Sequence, residues 1–460
     1  MPEFQLFYLL KYAMNQQKEI QLKQKIMALA NENRLDEAKV IATKLVKKLP
    51  KDIELRWALA QFEARTGEYE KSVQSFIKAA IKASPFQGEA LKRALDICYG
   101  HDFNQLGLKI VGMLMKLGAL TADNLFKQGC LYSGLFQYQA AKKCFQKALK
   151  LEPSNIQYQT YLGEACLYLG QCDESAIALQ KAYSGDPDDK RPYFLDITCS
   201  NYSDGLSNQH VFDLHSNYAK LLEAKYRSDF VPSPQKADNS KKLRVGFISS
   251  DFYSHSVSYF FTPIIKHLDK NKIEVFCYSD VANPDEVTAL TKQYSDHWQD
   301  CSGLADERVC DIIRGDNLDI LVDLVGYMGE GRLGVFARRA APVQVTYLGY
   351  PNTTGLSQMD FRLTDEWSDP LGAGDDLYSE SLCRISGGFL CYQPYGKAPL
   401  VTELPAIKLN RPVTFCSLNV FQKLTDVNFR MWSEILNRVQ GSRLIIKSKQ
   451  LAEKSLQAEV

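Results

Sequence analysis

The sequence holds twelve cysteines, yet no two of them stand in a Cys-x-x-Cys spacing. The commonest zinc and disulfide-exchange motifs are therefore missing. An excess of either charge is missing too. Lys plus Arg total 55 against 54 for Asp plus Glu, a net charge of +1. No global field draws nucleic acid or an anionic membrane toward the chain, so neither is expected as a partner. No stretch reaches the roughly 18 apolar residues that a membrane span needs. Residues 4–14 (FQLFYLLKYAM) are apolar but lack a basic flank and a small-residue cleavage site, unlike a secretory signal. The reading is a soluble, cytoplasmic protein. Cys98, Cys144, Cys277 and Cys416 sit in apolar runs and read as small buried hydrophobes in a reducing compartment.

What is present is an ordinary globular composition, 45% hydrophobic and 24% charged over 460 residues. Such a chain folds into about two to four domains. Self-similarity marks the first of them. Gly129 aligns with Gly163, Phe145 with Leu179, Ala148 with Ala182 and Pro153 with Pro187, each at an offset of 34 residues. Weaker copies carry Gly67, Tyr69, Ser72, Phe76, Ala79 and Pro85, and before them Ala38, Ala42, Leu45 and Pro50. Residues 87–120 fit as a degenerate copy. The period and pattern resemble the tetratricopeptide repeat. Small residues let two antiparallel helices approach, bulky ones fill the groove, and Pro ends the second helix. About five repeats over 19–187 are expected, offering a concave surface to protein or peptide partners.

Residues 188–241 form a helical bridge and linker, with helical spacing over 211–226 and a Pro/Ser/Lys-rich stretch at 231–242. His210 and His215 there are five apart, which is not a helical metal-pair spacing, so they read as surface or packing residues. From Leu243 strand and helix patterns alternate: LRVGFIS, IEVFCYS, the apolar run 319–326, VQVTYLGY and FRLTD. Alternation of this kind argues for a parallel sheet covered on both faces, here over 242–394. After a Pro-rich connection, 410–460 reads as strand, helix, strand and the start of another helix. One such unit cannot bury both faces of its sheet. The chain is therefore expected to be a fragment, or its tail to pack on something else.

The strings LRVGFISSDFYSHSVSYFF, DILVDLVGY and FARRAAPVQVTYLGYPNTTGLSQMDFRLTD resemble the protein O-GlcNAc transferase family, nearest its bacterial, SPINDLY-like branch. The preceding repeats match that family's layout. The resemblance implies a GT-B architecture: a Rossmann-like first lobe over 242–394 and the start of a second, nucleotide-binding lobe over 410–460. It implies inverting transfer of GlcNAc from UDP-GlcNAc to Ser or Thr hydroxyls of proteins, with no metal and no cofactor beyond the donor.

Site residues follow from the same resemblance. His255, in the loop SSDFYSHS after the first strand, matches the active-site His; imidazole titrates near neutrality and can position or relay a hydroxyl proton. Lys423 matches the lysine that contacts the nucleotide diphosphate, where a fixed cation stabilises the departing charge. Leu348, Pro351, Thr353 and Thr354 match the loop beside the sugar. Two positions depart from the pattern. Val420 stands where Asn or Gln is usual, and Met328 where Thr is usual, each removing a polar group. Those departures leave open two alternatives: a non-catalytic repeat scaffold, or a transferase using another nucleotide sugar. His267 and His297 read as structural, and Asp251 and Asp365 as loop-orienting carboxylates. Repeat arrays also self-associate, so a homo-oligomer is one assembly they form.

Overall fold

The computed structural model describes residues 3–80, 87–226, 241–329, 331–394, 399–408 and 410–458, with side chains from residue 16 onward. Pro85, and the linker expected over 231–242 except for its last two residues, lie outside the described residues. Packing divides the chain into two compact units: Met1–Gly185 with Ser417–Leu424 and Ile446–Val460, and Asp186–Cys416 with Thr425–Ile445.

The first unit opens with ten helices in five antiparallel pairs. These are α1 (Glu3–Asn31) with α2 (Leu35–Lys48), α3 (Ile53–Arg65) with α4 (Tyr69–Ala80), and α5 (Gln87–Gly100) with α6 (Asn104–Lys116). Then come α7 (Ala122–Gly134) with α8 (Tyr138–Leu151), and α9 (Ile156–Tyr168) with α10 (Cys172–Gly185). The 34-residue pattern has a direct physical cause. A Cβ on Gly129 would sit 2.3 Å from the Phe145 ring, and one on Gly163 would sit 2.4 Å from Leu179 Cγ. Each glycine is the hole that receives the bulky residue of its partner helix. The middle small position is also explained. Ser72 Oγ donates to the Ala60 carbonyl and Ser175 Oγ to the Gly163 carbonyl, tying second helix to first within a repeat.

The second unit begins with α11 (Lys190–Ser200) and α12 (Asn208–Lys225) and continues as an α/β lobe. Its elements are β1 (Leu243–Ser249), α13 (Ser258–His267), β2 (Ile273–Ser279), α14 (Glu286–Tyr294), β3 (His297–Asp300), α15 (Asp306–Gly315) and β4 (Ile320–Asp323). There follow α16 (Leu333–Ala337), β5 (Val343–Thr346), β6 (Phe361–Thr364) and β7 (Ser381–Arg384). The seven strands form one sheet, ordered β3-β2-β1-β4-β5-β6-β7, and every pair is parallel. Successive strand residues face opposite layers. Val245, Phe247, Val275, Cys277 and Val322 pack with Phe252, Phe261 and Ile265 on the α13 side. Ile248, Phe276, Tyr278 and Leu321 pack with Phe194, Ile197, Tyr218 and Leu222 of α11 and α12. The segment read as a bridge is therefore part of the lobe's core. Its apolar stripes cover the second face of the sheet.

The remaining elements are α17 (Pro405–Lys408), β8 (Thr414–Ser417), α18 (Asp426–Arg438), β9 (Arg443–Ile446) and α19 (Lys454–Gln457), with β8 and β9 forming a two-stranded sheet. Residues 410–458 do not form a unit of their own. Ser417–Leu424 and Ile446–Val460 belong with the repeats, and the rest with the α/β lobe. Cys416 in β8 is exposed, against the expectation of a buried thiol, whereas Cys98, Cys144 and Cys277 are buried. No described helix is long and apolar enough to cross a membrane.

Candidate active site

The chain runs from β1 outward through β2 to β3, then returns past β1 to β4 and proceeds to β7. The reversal lies between β1 and β4. In open parallel sheets the crevice at the carboxyl ends of such a pair is where ligands bind. Asp251 and His255 follow β1 at that point, and Asp323 ends β4.

The loop after β1 is pinned at three places. Ser249 Oγ accepts from the Asp251 amide at 2.9 Å. Ser258 Oγ donates to the carbonyls of Asp251 and Tyr253. Asp285, which caps α14, accepts from the Ser254 amide at 2.8 Å. On this fixed turn the His255 imidazole is 36% exposed, with its Nδ1 3.6 Å from Asp251 Oδ2. The ring stacks on Tyr253 at a centroid distance of 5.5 Å. Burial pushes the Asp251 carboxyl above its ordinary range, and the neighbouring His255 pulls it back in part. Asp251 was expected to orient backbone amides; its carboxylate instead faces His255.

Asp323 was missed by sequence reasoning. It is fully buried and accepts hydrogen bonds from the Val325 and Gly326 amides, at 3.0–3.1 Å, and from Thr346 Oγ1 at 3.3 Å. Burial pushes its carboxyl up to about 6, and the Asp251 charge adds to the rise. Nothing in the run DILVDLVG distinguishes this aspartate; only its burial does.

The loop after β5 is strained and tightly seated. Leu348 adopts φ 73°, a left-handed conformation costly for a branched side chain. A Cβ on Gly349 would fall 1.8 Å from the Leu324 carbonyl oxygen, so only glycine lets the loop lie against the chain leaving β4. A directed chain of hydrogen bonds holds the next residues. Asn352 Nδ2 donates to Asn201 Oδ1, and Asn201 Nδ2 donates to the Tyr350 hydroxyl. Tyr350 Oη lies 2.7 Å from His215 Nε2, and His215 Nδ1 lies 2.6 Å from the Val211 carbonyl. That carbonyl can only accept, so Nδ1 carries the proton and Tyr350 donates to Nε2. Burial lowers the His215 pKa to about 4, so the ring is neutral here. His215 is thus a packing residue, as its spacing allowed, but one that fixes the loop.

The expectation for Thr353 and Thr354 is corrected. Both are fully buried. Thr353 Oγ1 donates to Glu380 Oε2 at 2.7 Å, while Glu380 Oε1 accepts from the Thr354 amide and hydroxyl. Their hydroxyls satisfy a buried carboxylate and are not turned to a ligand. Glu380 lies far along the sequence from these threonines, so no local pattern revealed it. Pro351 and Asn352 line a cavity of about 320 Å³ together with Asn201, Phe212, Asp369 and Tyr378. Asp365 does orient backbone, accepting from the Trp367, Ser368 and Phe389 amides.

In the loop after β4, Tyr327 is buried and donates to the Thr354 carbonyl, whereas Met328 is exposed. Arg332 anchors the loop's far end through Asp280 and Asp306. His297 is structural, bonding Glu274 and stacking on Phe276. Lys423 falls in the other compact unit, exposed at the end of a single 3₁₀ turn.

Sequence comparison gives this geometry a context. Residues 214–393 match the profile of glycosyl transferase family 41, and residues 122–155 match a tetratricopeptide repeat. The α/β lobe is thus similar in sequence to the O-GlcNAc transferases. The chain is 37% identical over 271 residues to a barley (Hordeum vulgare) protein named a probable UDP-N-acetylglucosamine--peptide N-acetylglucosaminyltransferase SPINDLY, covering 57% of this chain and 28% of that one. A Caenorhabditis elegans UDP-N-acetylglucosamine--peptide N-acetylglucosaminyltransferase is 36% identical over 157 residues, 33% of this chain and 13% of that one. A solved Thermobaculum terrenum O-GlcNAc transferase mutant superposes with a TM-score of 0.68 at 28% identity, covering 81% of this chain and 71% of the other. The chain spans less than a third of the length of the curated relatives it matches. The family 41 match begins inside α12, in keeping with that helix's place in the lobe's core.

Proposed function

We propose that this chain is the repeat-bearing part of a cytoplasmic enzyme that transfers N-acetylglucosamine from UDP-GlcNAc to Ser or Thr hydroxyls of proteins. The acceptor oxygen attacks the sugar C1 from the face opposite the diphosphate. The C1–O bond to the diphosphate breaks, UDP leaves with the electron pair, and the hydroxyl gives up its proton. His255 holds that hydroxyl by a hydrogen bond, and Asp251 sets the field at its ring. Leu348 and Pro351 border the sugar. Lys423 neutralises charge on the departing diphosphate, an effect larger in the transition state than in the ground state. The repeats present the acceptor protein.

The observation that carries the reading is the partly exposed His255, backed by Asp251, at the switch point of a lobe that matches family 41. One observation favours a second reading. Val420 is 44% exposed and Met328 40%, apolar groups on display where the resemblance places polar ones. They favour a transferase with another donor, or a scaffold without turnover. Supplying the natural-length protein with labelled UDP-GlcNAc, UDP-glucose and GDP-fucose beside a Ser/Thr peptide separates the three. The proposal expects label from UDP-GlcNAc alone. Label only from another donor replaces the sugar, and label from none supports the scaffold.

A further inference from the structure

The turn that carries Lys423 is built onto the repeat array. Phe421, Gln422 and Leu424 are all buried, while Lys423 between them is exposed. The turn packs on α9 and on the short helix Lys449–Ala452. Gly170, just past α9, faces it: a Cβ there would stand 3.9 Å from Gln422 Cα, at ordinary contact distance. Gln450 Nε2 donates to Gln422 Oε1 at 3.4 Å, linking the turn to the C-terminal segment.

That segment is in turn locked to a repeat. Helix α8 starts at Tyr138 behind Gln137, whose side chain makes no cap. The missing cap comes from more than 300 residues away. Glu453 Oε2 accepts from the Gln139 amide at 3.1 Å, and Oε1 from the Ala140 amide at 3.2 Å. A carboxylate across two first-turn amides at a helix N-terminus is favoured by hydrogen bonding and by the helix dipole. Lys449 adds a second clamp, its Nζ 4.9 Å from the Phe136 ring centroid at the α7–α8 turn. Leu456, three residues beyond Glu453, is buried.

We propose that Glu453 is a positioning residue for Lys423: by capping α8 it fixes the C-terminal segment, and through Gln450 and Gln422 the turn that presents the lysine. The repeats then act as a platform for the diphosphate-binding cation as well as a surface for acceptors. The role of Lys423 itself rests on the proposed function; the docking does not.

The test uses hydrogen exchange and UDP binding on the natural-length protein. Glu453→Ala is expected to speed exchange of the Gln139 and Ala140 amides roughly fivefold, the effect of a lost cap. It is also expected to speed exchange at Lys423 and Leu424 and to weaken UDP binding severalfold. Glu453→Gln, which keeps an acceptor, recovers part of each. The deciding variant adds Gln137→Asp to Glu453→Ala, giving α8 a cap of its own. The proposal expects α8 to recover while 423–424 stays fast and UDP binding stays weak. Recovery of all three, or no change at 423–424 in Glu453→Ala, overturns it and leaves Glu453 a helix cap. If the wild type does not bind UDP, the assignment of Lys423 to the diphosphate fails, and exchange at 423–424 decides the docking by itself.

Discussion

Asp251 Oδ2 and His255 Nδ1 face each other at 3.6 Å on the loop leaving β1. The separation is longer than a hydrogen bond, so the carboxylate acts on the imidazole through charge and orientation. Asp251→Asn is therefore predicted to lower kcat by about tenfold with little change in KM, less than the 10²–10⁴-fold range of a lost acid–base group. A change in KM alone would place Asp251 in binding and not beside the reacting hydroxyl.

Two buried groups respond to acid in opposite directions. His215 has its pKa lowered from 6.5 to about 4, so stability is lost as pH falls through that window. Asp323 has its pKa raised from 3.8 to about 6, so stability is gained as pH falls from 6 toward 3.8. The two nearly cancel. Asp323→Asn removes the gain, and between pH 7 and 4 the variant should lose on the order of 3 kcal/mol relative to wild type. Chemical denaturation at several pH values measures it. Parallel curves for the two proteins would contradict the assignment.

Gly163→Ala sets two effects against each other. Helix propensity favours alanine by about 1 kcal/mol. The new Cβ meets Leu179 Cγ at 2.4 Å, and Leu179 is fully buried. Overpacking costs about 1–3 kcal/mol and wins. A lower Tm for the variant is expected; a higher one would mean that the repeat interface is looser than described.

Thr354→Val keeps the volume but withdraws a hydroxyl from Glu380. Leaving that buried carboxylate short of a donor costs about 1–3 kcal/mol, whereas Thr354→Ser retains the bond. Equal stability of the two variants would return Thr354 to the list of ligand contacts.

The parallel strands were legible because they are continuous apolar runs, and the repeats because holes and bulky residues recur every 34 positions. Strand β3 (HWQD) was not, being short and polar at the sheet's edge. The apolar run at 319–326 promised a longer strand than β4, which stops where Asp323 takes the following amides into its own carboxylate. His255 and Asp365 were placed by their loops. The partners of Thr353, Thr354, His215 and α8 were not, because Glu380, Tyr350 and Glu453 approach from distant parts of the sequence. Spacing reports which face a residue takes; it does not report which distant carboxylate or hydroxyl it meets there.

His255 is proposed to serve sugar transfer to protein hydroxyls. The most direct test compares the natural-length protein with its His255→Ala variant, scoring a Ser/Thr peptide by mass for added N-acetylhexosamine from UDP-GlcNAc. The account predicts modified peptide from the wild type and at least about a hundredfold less from the variant at equal folded concentration. Equal modification by both proteins would contradict it.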